Sequence, residues 1–216
     1  MNIIVASHNE EILNNNLMRS NLPSDANLVI MRGYNNVAKA YNDAIKKTKR
    51  GITMFVHHDV YLPDGWFKKL DKIMREFEYL NIGVIGVAGA SRSDELEYKG
   101  NIINSGNEWK HGRTGDGYSV EDVQTVDEML FIVRDNNVSF DENLGNHFYC
   151  ADLCLRMIES GKDNYVINNP CSHVGSENNV KDKDGNFVYS DSFYKSRDII
   201  ASKYNFPIAT TCILIN

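Results

Sequence analysis

The stretch Thr53-Met54-Phe55-Val56-His57-His58-Asp59-Val60-Tyr61-Leu62-Pro63 decides the fold. Its first half is a short apolar run of the kind that forms a buried strand, and its second half is a polar turn closed by proline. Similar apolar runs recur at residues 3–6, 28–31 and 84–88. Helical patterns separate them. Residues 10–19 form one; Val37, Ala40, Tyr41, Ala44 and Ile45 form the second; Trp66, Phe67, Leu70, Ile73, Met74 and Phe77 form the third. Asn35 or Asn36 stands at the N-cap of the second helix. Lys46, Lys47, Lys49 and Arg50 crowd its far end, where cations complement the helix dipole. The order β-α-β-α-β-α-β predicts an α/β fold with a mostly parallel central sheet and helices on both faces. Ligands bind such sheets beyond the carboxyl ends of the strands, which is where His57-His58-Asp59 falls.

The second half is less regular. Residues 90–118 are rich in glycine and polar side chains around Trp109 and read as a long functional loop or small excursion. Residues 123–133 are β-prone around Asp127-Glu128, 149–160 are helical, and 165–167 form a short strand before Cys171-Ser172-His173. Lys183-Asp184-Gly185-Asn186 reads as a turn between two short strands and fails the spacing of a calcium loop. Residues 192–204 close the pattern as a helix, and 211–215 are apolar and β-prone. No repeat or linker divides the 216 residues, so one domain is expected.

Composition narrows the partners. A hydrophobic share of 42% with 24% charged residues suits a soluble globular chain, and a net charge of −6 argues against nucleic acid as main partner. No run approaches the roughly 18–20 apolar residues of a membrane span, and the start has no basic n-region, so a cytoplasmic protein is expected. The cysteines Cys150, Cys154, Cys171 and Cys212 match no zinc spacing and read as buried thiols.

Four groups could do chemistry. His57 and Asp59 share one side of an extended strand end, where a carboxylate can hold Mg²⁺ or Mn²⁺. Asp152 falls in the first turn of its helix; Ala151, Cys154, Leu155 and Ile158 form the buried stripe, leaving Tyr149, Asp152, Arg156 and Glu159 on the opposite face. Its readings are a helix-start acid paired with Arg156 or a general base toward a hydroxyl. Asp127-Glu128 interrupts an apolar stretch, and ionised groups are almost never buried unpaired, so at least one of them meets solvent, as on an edge strand, or a partner or a ligand. His173 could join Asp59 in a metal set. No G-x-G-x-x-G, Walker A or G-x-S-x-G occurs, which demotes dinucleotide oxidoreductases, P-loop enzymes and α/β-hydrolases.

In order, the strand at residues 3–7 before Asn9, the helix 38–45, Met54 to Pro63, Gly83-Val84-Ile85-Gly86-Val87-Ala88-Gly89, Val126-Asp127, His147-Phe148-Tyr149-Cys150-Ala151-Asp152-Leu153-Cys154-Leu155-Arg156 and Pro170-Cys171-Ser172-His173 resemble family-2-like glycosyltransferases of the GT-A fold. Within them the chain is similar to the small bacterial branch of streptomycin-biosynthesis StrF-like proteins. The resemblance implies a GT-A-like, Rossmann-related single domain over 1–216. Residues 1–90 would be the nucleotide-binding half, 91–173 an irregular acceptor and catalytic half, and 174–216 a C-terminal lid with closing elements.

The resemblance further implies a metal-dependent, inverting, non-processive transfer of a sugar from a nucleotide-diphosphate sugar to an acceptor hydroxyl. The acceptor would be a glycan or a small molecule. Asp59 and His173 would hold Mn²⁺ or Mg²⁺. Asp152 would be the catalytic base. Ser7, Asn9, Lys39, Asn42, His57, His58 and Asp127 would bind the donor, and Glu128, Trp109, His147, Tyr149 and Arg156 the acceptor. The chain departs from the family pattern at His57, where a first aspartate is usual, and at Ala151-Asp152, where the usual pair is Glu-Asp. Neither nucleic acid nor a membrane is implied as partner, and a homodimer stays open. A non-catalytic nucleotide- or sugar-binding relative and a His/Asp metal hydrolase are the alternatives.

Overall fold

Alternating side chains build the central sheet. In a computed structural model, which describes residues 1–92, 95–175, 183 and 188–216, seven strands align in the order β2-β1-β3-β11-β5-β12-β9. These are β1 (Asn2–Ser7), β2 (Asn27–Arg32), β3 (Thr53–His57), β5 (Ile82–Gly86), β9 (Val120–Val123), β11 (Leu130–Val133) and β12 (Asp163–Ile167). β1 runs parallel to β2 and β3, and β12 to β5, while β11 lies antiparallel between β3 and β5. Ile4, Phe55 and Phe131 point to one face; Ile3, Val5, Met54, Val56 and Ile132 point to the other. Both sets are fully buried, as a sheet covered on both sides requires.

Helices α1 (Glu10–Asn15) and α3 (Trp66–Glu76) pack on the second face; α2 (Val37–Ile45), α5 (Tyr149–Glu159) and α6 (Asp191–Lys203) cover the first. The Asn9 side chain caps α1 and that of Asn36 caps α2. α1 is shorter than its apolar pattern suggested, because the backbone breaks at Asn16 and resumes as a 3₁₀ turn over Leu17–Arg19. Between α2, α5 and the sheet lies an aromatic cluster. Phe55 stacks on Phe131 at 4.9 Å between centroids, and Tyr41 meets Tyr149 edge-on at 5.7 Å.

The remaining short elements are β4 (Val60–Tyr61), β6 (Ala88–Arg92), β7 (Leu96–Asn104), β8 (Asn107–His111), α4 (Gly112–Gly115), β10 (Thr125–Val126), β13 (Ser172–His173), β14 (Ile208–Ala209) and β15 (Leu214–Ile215). A second sheet runs β10-β6-β7-β13-β4, with β8 paired to β7. The expected loop at 90–118 is therefore largely a meander. Its strands face a core on one side only, and Lys99, Asn101 and Asn104 on β7 hide the two-residue period from a hydrophobic reading. Asp184, Gly185 and Asn186 of the expected turn lie outside the described residues, while Lys183 is an exposed turn residue.

The sheets meet tightly at Gly89 of β6. A Cβ there would stand 2.5 Å from the Thr125 carbonyl oxygen and 2.9 Å from Val166 Cγ1. Gly89→Ala should lower stability by about 1–3 kcal/mol through overpacking. That corresponds to a fall in melting temperature of roughly 2–12 °C for a chain of this size, read by thermal denaturation.

Candidate active site

The turn after β3 folds Asp59 back over the sheet edge. β4 pairs antiparallel with β13, bringing His173 opposite Val60, and the Val174 amide donates to the Asp59 carbonyl at 3.1 Å. His173 Nε2 lies 3.3 Å from Asp59 Oδ2, and His57 Nδ1 lies 4.0 Å from Asp59 Oδ1. Parallel pairing of β13 with β7 sets His173 beside Asn104, whose side-chain oxygen is 3.1 Å from His173 Nδ1. With a proton on each ring nitrogen, His173 donates through Nδ1 to that oxygen and through Nε2 to Asp59; release of the Nε2 proton would free that nitrogen for a metal. His57 Nε2 lies 3.2 Å from the Tyr149 hydroxyl, which links the triad to the aromatic core.

Charge follows this geometry. Burial pushes the His57 imidazole down to about 4, against the pull of Asp59. Burial also opposes ionisation of Asp59. The His173 hydrogen bond and the surrounding imidazoles outweigh it and hold the carboxyl well below the usual carboxylate range. His173 is raised, because its bond to Asp59 and that charge overcome burial. Among the described residues the buried oxygen Asp59 Oδ1 has no hydrogen-bond partner. The three residues offer ligand atoms within 4.8 Å of one another. Two imidazoles and one carboxylate, the latter with an oxygen left without a partner among the described residues, fit a divalent transition ion.

Two connected cavities open beside the triad. One, of about 320 Å³, is lined by His57, Asp127, Glu128, His147, Ala151 and His173 among others. The second, of about 270 Å³, is lined by Asn104, Trp109, Asp127, His173, Tyr189 and Thr211 among others. Asp127 and Glu128 occupy the crossing between β10 and β11. Asp127 Oδ1 accepts from the Met129 amide at 2.9 Å, and its other oxygen accepts from the Thr211 hydroxyl. Glu128 accepts from the Cys150 amide at 3.4 Å. Both acids thus meet the cavity, as the interruption of an apolar stretch suggested.

Other assignments need correction. Asp152 is fully buried and lines neither cavity. Its carboxylate accepts from Arg156 Nε at 3.0 Å, from the Tyr204 hydroxyl at 3.0 Å and from the Lys203 ammonium. It ties α5 to α6, and a proton-accepting role toward substrate does not fit. Residues 149 to 155 are all buried while Ile158 is 40% exposed. The helix is thus enclosed for two turns rather than split into two faces. Arg156 lines a separate groove with Asn137 and Ser139. Lys39 is exposed on Asp43. Asn42 is bonded to the Phe140 backbone and Glu142, and the Asn9 oxygen caps α1. None of these lines the two cavities. Ser7 and His58 are buried together at the end of β1, 3.0 Å apart, outside the cavity lining. Tyr149 is fully buried and reaches the site through His57. Cys212 is exposed, unlike the other three thiols. Sequence reasoning does not find Tyr189 and Thr211, because their segments carry no motif; only in the folded chain does Thr211 bond Asp127 and Tyr189 line both cavities.

The profile of the glycosyltransferase-like family matches residues 2–196. The chain belongs to that family. Its fold is that of GT-A glycosyltransferases. It superposes on S. aureus TarS 1–349, solved with UDP-GlcNAc, with a TM-score of 0.57, 14% identity, and coverage of 94% of this chain and 65% of that one. For the mannosyltransferase PcManGT from Pyrobaculum calidifontis, solved with GDP-Man and Mn²⁺, the TM-score is 0.53 at 11% identity, covering 82% and 57%. This glycosyltransferase-like chain thus spans under two thirds of each. No curated protein matches it. Among its described residues no helix is long and apolar enough to cross a membrane.

Asp152→Asn should lower stability by about 3 kcal/mol, because it leaves the Arg156 and Lys203 charges without their shared carboxylate. Urea denaturation of the two proteins measures this, and Lys203→Met should shift it in the same direction by less.

Proposed function

We propose that the protein transfers a sugar from a nucleotide-diphosphate sugar to an acceptor hydroxyl, using a divalent metal held by His57, Asp59 and His173. The observation that carries this reading is the triad with its orphaned Asp59 oxygen, set at the carboxyl end of β3 where α/β sheets place their ligands. Support comes from the family and from GT-A neighbours solved with UDP-GlcNAc and with GDP-Man and Mn²⁺. A bound divalent ion would neutralise the charge that develops on the departing diphosphate.

The chain's own residues would do the rest. Asn104 holds the His173 ring in its ligating orientation, and Tyr149 holds that of His57. Asp127, fixed by Met129 and Thr211, would accept hydrogen bonds from sugar hydroxyls at the junction of the cavities. Trp109, half-buried in the second cavity beside His111 at 4.5 Å, would offer an aromatic wall to the acceptor. Transfer would be inverting and non-processive, in a cytoplasmic protein of the StrF-like branch that prefers manganese.

Mn²⁺ should raise the melting temperature when added with UDP, GDP or dTDP. At a ligand concentration of 100 times Kd the gain is about 2.7 kcal/mol, or roughly 5–10 °C for a chain of this length. Asp59→Asn and His173→Ala should remove the metal-dependent part. Absence of any metal-dependent shift with all three nucleotides would overturn the metal assignment.

A further inference from the structure

Asp152, the expected base, is buried in its own network and lines neither cavity, and the cavity supplies another carboxylate. Asp127 and Glu128 are the only acids lining the two cavities among the described residues. Asp59 is engaged with His173. Both Asp127 oxygens are engaged, one by the Met129 amide and one by the Thr211 hydroxyl. Glu128 differs. No cation and no hydroxyl bonds it among the described residues; its partners are backbone amides of Cys150 and Tyr149 in the first turn of α5.

That placement has a local cause. The residue before α5, Phe148, sits at φ 60° and has no side-chain oxygen with which to cap the helix. Glu128 reaches across from the β10–β11 crossing and caps it instead. The same reach sets its carboxylate in the wall of the cavity that holds His57 and His173, beside Ala151. Ala151 has no functional group, and its small side chain leaves that wall open. His147, on the same cavity, has its Nε2 3.4 Å from the Ser192 hydroxyl.

We propose that Glu128 is the general base of the transfer, a role carried by the strand crossing rather than by the helix-start aspartate. The proposal rests on the glycosyltransferase reading above. In the step, the acceptor oxygen forms a bond to the anomeric carbon of the donor as the bond from that carbon to the diphosphate oxygen breaks. The electron pair leaves with the diphosphate, and the acceptor proton passes to the Glu128 carboxylate. Burial, then the Asp127 charge, raises the Glu128 carboxyl well above its usual range, which increases its basicity once ionised.

The test compares wild type with Glu128→Gln and Glu128→Asp. Gln keeps an oxygen for the Cys150 amide, so the helix cap survives while the base is lost. Donor binding is followed by calorimetry with UDP-, GDP- and dTDP-sugars in Mn²⁺. Turnover is followed as nucleotide release, to water and to added alcohols. The expected result is unchanged melting temperature and donor Kd in Glu128→Gln, with turnover reduced at least about 100-fold, and partial activity in Glu128→Asp. Equal turnover in wild type and Glu128→Gln, with donor bound, overturns Glu128 as base and leaves the donor reading standing. So does a wild type that binds donor and never turns it over. Loss of donor binding in Glu128→Gln makes it a donor residue and overturns the proposal. If wild type binds no nucleotide sugar, the glycosyltransferase reading falls and this proposal falls with it.

Discussion

The His57 amide donates to the Met129 carbonyl at 2.8 Å, and the architecture of the site depends on that bond. It continues the β3–β11 ladder by one residue past Leu130 and Val56. Just before it, the chain has left the second sheet, where Val126 pairs with Gly89. The three residues of the crossing, Asp127, Glu128 and Met129, therefore bridge two sheets. Their backbone is pinned at both ends, with the Asp127 amide donating to Ala88 at 2.9 Å. Two acids inside an apolar stretch become tolerable because the crossing opens them to a cavity. The same pinning holds them beside the end of β3.

Burial and charge are balanced differently at Asp152, Asp59 and Glu128. Asp152 is fully enclosed and stabilised by two cations and a tyrosine hydroxyl, a closed structural network. Asp59 is stabilised by imidazoles yet keeps one oxygen without a partner. Among the described residues Glu128 has only amides. The gradient from closed to open satisfaction separates the residue that supports the fold from those available to a ligand. Distance along the sequence does not.

Much of this was legible in the chain. The parallel strands β1, β3 and β5 were, because they are buried on both faces and read as continuous apolar runs. Asp59 and His173 were legible as a candidate metal pair, because strand ends in α/β sheets are where such groups collect; His57, read as a donor contact, joins them as a third possible ligand only in the folded chain. Asp127-Glu128 announced itself by breaking an apolar stretch. Asp152 misled because a helix-start acid with an i+4 arginine reads as a surface pair. Only the docking of α6, with Lys203 and Tyr204, encloses it. Lys39 and Asn42 misled in the opposite way, since Asp43 one turn further along the helix and the distant Phe140 backbone absorb them. Thr211 was invisible, because its partner lies 84 residues away and neither residue type demands the other.

The network around Asp152 has a consequence for how such a cleft can change. Lys203 sits at one end of α6 and Phe193 near the other, about 15 Å apart along the axis. Phe193 stacks on Tyr189 at 3.9 Å, and Tyr189 lines both cavities. Rotation of α6 would move that wall and strand a charge beside Asp152. Cleft width and the pairing of residues 152 and 203 are therefore mechanically coupled through one helix. A substitution at the far end of α6 acts on the cleft wall without touching anything bound there.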